Sequence, residues 1–201
     1  MDQELLVDSR MEDGQKLLSQ LVRSGFDVTV AFWVRTGEAD LWHLYIGSNA
    51  VTPGNVGDAY GTLYTCLSKI PDASVSFSEV KMVPPSNPMA SEAIALRDRN
   101  PARLPVPYHG KRLGNEPIEE AYIYPKIGPM TRDEVLQTVM ATLKRSGRAQ
   151  PFTFTFADGT ARRAIPTGIQ LQSGRGLQIV LLDPGSGQSQ AVAADDVINI
   201  Q

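Results

Sequence analysis

The last fifty residues of the chain consist of strand-like segments joined by tight turns, and this rhythm constrains the fold more than any other feature. Apolar and polar residues alternate in FTFTF, TARRAIPTGIQL, GLQIVLLDP and AVAADDVINI. Asp158-Gly159 is typical of a hairpin turn, and the Gly- and Ser-rich residues 185 to 189 supply a second turn. Five short strands in so few residues predict a small β-barrel over residues 150 to 201.

This segment resembles the SH3-like and Sm-like barrels in two places. One is the DG hairpin at residues 158 to 159, and the other is the closing DDVINI at residues 195 to 200. The resemblance covers about a quarter of the chain. It implies a C-terminal SH3-like or Sm-like β-barrel, a kind of module that binds other molecules more often than it catalyses reactions.

The residues before the barrel carry alternating helix and strand signals. Ser9 and Glu12 have the spacing of a capping box, and the apolar residues that follow have helical spacing, so they predict a first helix that begins at Ser9 or earlier, at Leu5. Residues 26 to 48 contain two segments rich in β-branched and aromatic residues around a Thr-Gly-Glu turn, which predicts a β-hairpin. Asn55 predicts the cap of a second helix over residues 55 to 69.

Prolines set the limits of the next segments. Residues 75 to 83 alternate as a short strand, and the proline-rich stretch after them ends it. Asn87 before Pro88 is a helix-start signal and predicts a third helix. Proline on alternate residues restricts LPVPY to an edge strand, so residues 104 to 124 are expected to form two arms that pair with each other.

A fourth helix completes the predicted first domain. Thr131 and Glu134 form another capping box, and the apolar spacing that follows runs until Gly147. The predicted fold class is α+β, with an antiparallel sheet packed against about four helices and the barrel after it. The predicted domains are an α+β domain over residues 1 to 148 and the barrel over residues 150 to 201.

Composition describes a globular chain that needs no covalent staples. Of its 201 residues 42% are hydrophobic and 20% are charged, and Cys66 is the one cysteine, so no internal disulfide can form. Cys66 lies in an apolar helical pattern, which predicts a buried side chain. The acidic N-terminal residues and the lack of a long apolar run predict a cytoplasmic protein that does not enter a membrane.

The catalytic potential of the sequence lies mainly in its two histidines, His43 and His109. Neither has the spacing of a zinc ligand, and GxSxG, P-loop and dinucleotide-binding motifs are absent. We therefore expect no metal and no cofactor. The remaining enzymatic hypothesis is a hydrolase or nuclease that uses His43 with Asp40 or Glu38, although a structural histidine is the commoner outcome.

The middle of the chain is its net-positive section. Residues 97 to 148 contain ten Lys and Arg against six Asp and Glu, whereas the whole chain has a net charge of −3. Cations interleaved with an aromatic residue can contact phosphates and stack on a base. The predicted site for an anion or nucleic acid comprises Arg97, Arg99, Arg103, Tyr108, His109, Lys111 and Arg112, with Arg162, Arg163 and Arg175 of the barrel as further contacts.

A structural role for the same cations competes with this prediction. Arg97 and Arg99 fall in the last turn of the third helix, where cations favour the helix dipole. Lys111 and Arg112 fit an ordinary solvated turn, and nucleic-acid binders are usually more basic than this chain. The favoured function is therefore a non-enzymatic binding or adaptor protein, an accessory subunit of a larger cytoplasmic assembly that acts through protein partners. Nucleic-acid binding is the alternative.

Overall fold

A computed structural model describes residues 3–36, 41–100, 102–145 and 150–200 of the chain. The described residues form four helices, α1 (Gln3–Arg23), α2 (Val56–Leu67), α3 (Pro88–Asp98) and α4 (Arg132–Lys144). The strands are β1 (Val30–Thr36), β2 (Leu41–Gly47), β3 (Val80–Val83), β4 (Val106–Tyr108), β5 (Arg112–Leu113), β6 (Glu116–Pro117), β7 (Glu120–Ile123), β8 (Phe152–Phe156), β9 (Ala161–Gln172), β10 (Gly176–Leu182), β11 (Ser189–Ala193) and β12 (Val197–Ile200). The mixed α+β class predicted from the sequence is confirmed.

The chain divides into two compact units. The first unit comprises Met1–Arg99 and Pro105–Ile127, and the second comprises Asn100–Leu104 and Gly128–Gln201. The short segment before Pro105 therefore belongs with the C-terminal sheet, although residues of the first unit follow it. The domain boundary predicted at residues 148 to 150 stays a prediction, because compactness alone does not establish independent folding.

The first unit contains a five-stranded sheet in the order β3-β2-β1-β7-β4. The predicted hairpin is confirmed, since β1 and β2 pair antiparallel from Val30 opposite Gly47 to Thr36 opposite Leu41. The prediction of a purely antiparallel sheet is wrong, because β3 pairs with β2 in parallel. A parallel neighbour requires a crossover connection, and α2 provides it. As predicted, the proline-bearing β4 lies at an edge and pairs with β7.

Three of the four predicted helix starts are correct, and one is displaced. Asn87 accepts hydrogen bonds from the first turn of α3, and the Thr131 box with Glu134 is complete at α4. Asn55 precedes α2, but its side chain accepts from Thr52 instead of capping the helix. The capping box predicted at Ser9 is wrong, because α1 already begins at Gln3. The end predicted for α4 at Gly147 lies outside the described residues.

Two apolar layers cover the two faces of the first sheet. Side chains of α1 and α2 pack on one face around Trp33, and the predicted burial of Cys66 in this layer is confirmed at 1% exposure. Residues of α3 and of the β5–β6 hairpin pack on the other face around Phe32. Trp33 Nε1 donates to the hydroxyl of Tyr124 at 2.8 Å, and that hydroxyl donates to the Met11 carbonyl at 2.7 Å. The sheet is therefore buried on both sides.

The second unit contains a five-stranded sheet in the order β11-β10-β9-β8-β12. The five strands predicted from the C-terminal rhythm are present, but the predicted closed barrel is not confirmed. In the described residues β11 and β12 do not pair, so the sheet stays open. The outer edge of β12 is occupied instead, because the Met130 amide donates to the Ile198 carbonyl at 2.7 Å. α4 packs on this sheet through Val135 and Val139.

Candidate binding surfaces

The seven residues of the predicted anion site are divided between the two units. Arg103 belongs to the second unit, and the other six belong to the first. Arg97 is largely covered, with its side chain 11% exposed, and its guanidinium donates to the Thr29 carbonyl at 2.6 Å. Arg99 lies exposed at the C-terminal end of α3. The sequence could not distinguish an exposed arginine from one bound internally, because the partners are distant in sequence.

Arg103 is an internal structural residue. Its side chain is 7% exposed and donates to the carbonyls of Gly128 and Pro129 at 2.7 and 2.9 Å. The same guanidinium forms an ion pair with Glu134 at 2.8 Å. The Arg103 amide donates to the Thr138 hydroxyl at 2.9 Å. These bonds attach Arg103 to α4 and to the residues just before it.

The four remaining site residues lie in the short segment from the end of β4 to the start of β5. The Tyr108 hydroxyl donates to the Arg112 carbonyl at 3.0 Å, and the Arg112 guanidinium donates to the Asn115 carbonyl at 2.7 Å. His109 is exposed, and its Nδ1 lies 3.8 Å from a Glu120 carboxylate oxygen. Lys111 is exposed as well. This loop keeps two exposed cations, Lys111 and Arg112, which is a small fraction of the predicted site.

A glycine fixes the position of this loop against α3. Gly114 has a φ of +59°, and a Cβ there would lie 2.6 to 2.8 Å from backbone atoms of Pro88 and Met89. The Gly114 amide donates to the Glu92 carboxylate. Only glycine allows this approach, so the loop has a defined position over the start of α3.

The structure offers little support for chemistry at His43. Its side chain is half-buried in β2 opposite Val34, and the Asp40 and Glu38 of the hydrolase hypothesis lie outside the described residues. In the described part of the chain, no group of three or more His, Cys, Asp or Glu could hold a metal ion. The adjacent carboxylates of Glu119 and Glu120 both lie 3.4 Å from the Arg35 guanidinium. They are therefore engaged in ion pairs.

The carboxyl groups of Glu134 and Asp13 have lowered pKa values because they form structural contacts, and they make stability depend on pH. Burial raises the pKa of Glu134, but hydrogen bonds from Arg103 and Thr131 outweigh it and lower the pKa below the usual 4.5. The pKa of Asp13 is lowered in the same way, because hydrogen bonds from Lys16 and Ser74 outweigh the effect of burial. A carboxyl group whose pKa is lower in the folded state than in the unfolded state stabilises the fold at pH values above its unfolded-state pKa. This stabilisation is lost as the pH falls through the folded-state pKa.

We therefore expect the free energy of unfolding to decrease as the pH falls below about 4.5. Urea unfolding of the wild type at a series of acidic pH values measures this slope. Glu134→Gln should be less stable at neutral pH and should show a shallower slope, because it has no carboxyl group to protonate. Equal slopes for the wild type and Glu134→Gln would contradict the lowered pKa of Glu134.

An exposed apolar cluster of the first unit lies on α2 and the neighbouring Phe77, and it was not predicted as a site. Val56, Tyr60 and Tyr64 follow one another at intervals of four residues along α2, and Phe77 lies beside them. The Phe77 ring contacts the Tyr60 and Tyr64 rings edge-on, with centroids 5.7 and 6.1 Å apart. We call these four residues the aromatic patch. Tyr64 is 64% exposed, Phe77 41% and Val56 39%.

The aromatic patch is fixed in place and borders small residues. Tyr60 anchors it, because its hydroxyl accepts a hydrogen bond from the Met82 amide at 3.2 Å. Gly57 and Gly61 lie on α2 beside it, and a Cβ at either position would meet nothing within 4 Å. Each glycine inside a helix costs about 1 kcal/mol relative to alanine, and packing within the unit does not require them. The spacing of Val56, Tyr60 and Tyr64 was visible in the sequence, but which helix face would stay uncovered was not.

The second unit has a polar cleft of about 690 Å³ between β11 and the β8–β9 turn. Its walls carry both charges, since Arg162, Arg175, Asp158 and Asp196 line it. The Arg162 guanidinium lies over the Phe156 ring, 5.4 Å from its centroid, and donates to the Gln190 side chain. Two of the three barrel arginines considered from the sequence thus line one cleft.

The comparisons with known proteins give no family for the chain. In the described residues no helix is long and apolar enough to cross a bilayer. No family model matches the sequence, and no curated protein matches it. The site residues therefore have to be argued from their own geometry.

Proposed function

We propose that the protein is a non-enzymatic binding protein, an accessory subunit of a larger cytoplasmic assembly that acts through protein–protein contacts. The observation that carries this proposal is the aromatic patch of the first unit. Tyrosine and phenylalanine are enriched at protein interfaces, and tyrosine often dominates their binding energy. An ordered aromatic cluster beside the small residues Gly57 and Gly61 supports contact with an apolar surface of another protein.

The size of the patch supports the proposal quantitatively. An aromatic side chain can bury about 150 to 250 Å². Covering the exposed fractions of Tyr64 and Phe77, 64% and 41%, would therefore give a gross gain of roughly 5 kcal/mol at about 25 cal/mol per Å². Association costs at least about 4 kcal/mol, so the patch needs further contacts around it to form a stable complex.

The sheet of the second unit gives a second argument for a binding function. We propose that its sheet is an SH3-like or Sm-like barrel in an open form. β8 pairs with both β9 and β12, so the last strand returns beside the first strand of the unit. Small barrels of this kind serve as interaction modules in many unrelated proteins, although fold alone does not determine function.

The nucleic-acid and hydrolase alternatives stay predictions. The first has lost two of its cations to internal bonds, because Arg97 and Arg103 donate to backbone carbonyls. Its remaining test is a gel shift at low salt with the variant Lys111→Glu/Arg112→Glu, which should weaken binding to every sequence if phosphates are bound. The second predicts that His43→Ala loses activity and keeps its stability.

Affinity capture from the native host tests the aromatic patch. The wild type and Tyr64→Ser/Phe77→Ser are used as baits, and Leu171→Ser serves as a matched control, because Leu171 is 78% exposed and lies in the second unit. We expect at least one protein to be captured by the wild type and by Leu171→Ser and to be lost from the patch variant. Identical captures from all three baits would overturn the proposal.

A further inference from the structure

The two five-stranded sheets have four edges, and three of them are blocked. At β3 the Met82 amide is occupied by the Tyr60 hydroxyl. At β4 Pro107 has no amide hydrogen, and a proline in an edge strand prevents regular pairing. At β12 the Ile198 carbonyl accepts from Met130. These devices are the ones by which proteins protect sheet edges from added strands.

The fourth edge, β11, has none of these protections. Its sequence, SQAVA, contains no proline and no charged residue. Within the described ranges, its backbone bonds only to β10, and residues 189 to 191 are exposed. β11 is therefore a five-residue edge whose outward backbone groups lack partners among the described residues.

The pairing with β10 shows which groups of β11 point outward. The Asp183 amide donates to the Gln188 carbonyl at 2.9 Å, so these two residues form a hydrogen-bonded pair at the turn. Hydrogen-bonded and non-hydrogen-bonded pairs alternate along an antiparallel ladder. The register continues without a shift through Leu182 opposite Ser189. The amides and carbonyls of Ser189, Ala191 and Ala193 therefore point away from β10.

The polar cleft lies directly beside this edge and carries two arginines and two aspartates. Gln190, Ala191, Val192 and Ala193 of β11 form one of its walls. The Asp158 carboxylate accepts hydrogen bonds from the amide and hydroxyl of Thr160 at 2.9 and 2.7 Å, keeps its negative charge and interacts electrostatically with Arg162. Arg175 is exposed and forms no ion pair within 4.0 Å among the described residues, so it is the arginine available to an added acidic side chain.

We propose that β11 accepts an extended acidic segment of a partner protein as an added β-strand. The outward groups of Ser189, Ala191 and Ala193 supply the main-chain hydrogen bonds. An acidic side chain of the segment reaches into the cleft and pairs with Arg175. In this mode of recognition, backbone bonds give affinity and side-chain pockets give specificity. The site is separate from the aromatic patch, and the two can fail independently.

Fluorescence anisotropy with a defined probe tests this site. The probe is the labelled peptide Thr-Val-Glu-Val-Glu-Val-Thr, and its comparison is the same peptide with lysine in place of glutamate. We expect the glutamate peptide to bind at least tenfold more tightly than the lysine peptide. Arg175→Gln should weaken binding of the glutamate peptide about tenfold, which corresponds to about 1.4 kcal/mol.

The backbone contribution is tested with a proline at the outward position. Ala191→Pro removes one outward amide without removing a bond to β10, and it should weaken binding at least tenfold. Ala191→Ser keeps the amide and should bind as the wild type does. Peptides N-methylated on alternate residues give a second measurement that needs no variant, because only one of the two alternations should abolish binding. Tyr64→Ser/Phe77→Ser should bind the probe normally.

Several outcomes would overturn the proposal. Equal binding of Ala191→Pro and the wild type would exclude strand addition at β11. Equal binding of both N-methylated peptides would exclude a main-chain ladder. If sedimentation shows that the protein dimerises and that Ala191→Pro dissociates the dimer, the occupant of the edge is a second copy of this chain and not a partner peptide.

Discussion

Replacing Arg103 by methionine is expected to lower the free energy of unfolding by about 3 kcal/mol, since it removes a buried guanidinium that satisfies several acceptors at once. The variant leaves the carbonyls of Gly128 and Pro129 without their donor and leaves Glu134 without its cation. Methionine keeps most of the side-chain volume, so loss of packing is a minor part of the effect. Urea unfolding followed by circular dichroism measures the change.

Arg99→Met is the matched control for this prediction. Arg99 is exposed at the end of α3, and the same change there should alter the free energy of unfolding by no more than about 0.5 kcal/mol. If Arg103→Met is as stable as the control, the structural role of Arg103 is wrong. The residue would then return to the set of ligand-binding cations.

Replacing Tyr124 by phenylalanine should also destabilise the protein by about 3 kcal/mol. Tyr124 is 2% exposed, and its hydroxyl connects the Trp33 indole with the Met11 carbonyl. Its loss leaves the buried Trp33 indole N–H unpaired, at a cost of about 1 to 3 kcal/mol, and removes a bond from the Met11 carbonyl, which lies within α1. Burial is also the main cause that raises the pKa of Tyr124, so the hydroxyl stays protonated in the folded state.

Tyr64→Phe provides the control for the hydroxyl itself. Tyr64 is 64% exposed, and removing its hydroxyl should change the free energy of unfolding by no more than about 0.5 kcal/mol. The comparison uses the same chemical change at both positions. A small effect at Tyr124 would mean that the connection between α1 and the first sheet contributes little to stability.

The local features of the fold could be predicted from the sequence. The caps at Asn87 and Thr131 are chemical patterns within four residues, and both are present. The hairpin of β1 and β2 follows from alternation and a short turn. The start of α1 was misplaced because a capping box inside a longer helix has the same sequence signature as one at its beginning.

The pairing of distant segments could not be predicted in the same way. Alternation identifies β3 as a strand, but it does not show that the strand pairs in parallel with β2. The blocked edge of β12 likewise depends on Met130, which lies far from that strand in sequence. Alternating patterns define strands, whereas closure of a sheet depends on contacts between them.

The candidate site changed for the same physical reason. Charge and residue type made Arg97 and Arg103 resemble ligand-binding cations, but burial and backbone acceptors give them internal partners. The aromatic patch was present in the sequence as the spacing of Val56, Tyr60 and Tyr64. Helical spacing alone does not show which of two apolar faces is covered, so the exposed one became visible only in the structure.

Affinity capture from the native host with and without nuclease treatment tests the central claim most directly. If the protein acts through protein–protein contacts, the same partner proteins should be recovered under both conditions, and Tyr64→Ser/Phe77→Ser should lose at least one of them. Recovery of partners only without nuclease, unaffected by changes in the aromatic patch, would show that nucleic acid bridges them and would contradict the proposed function.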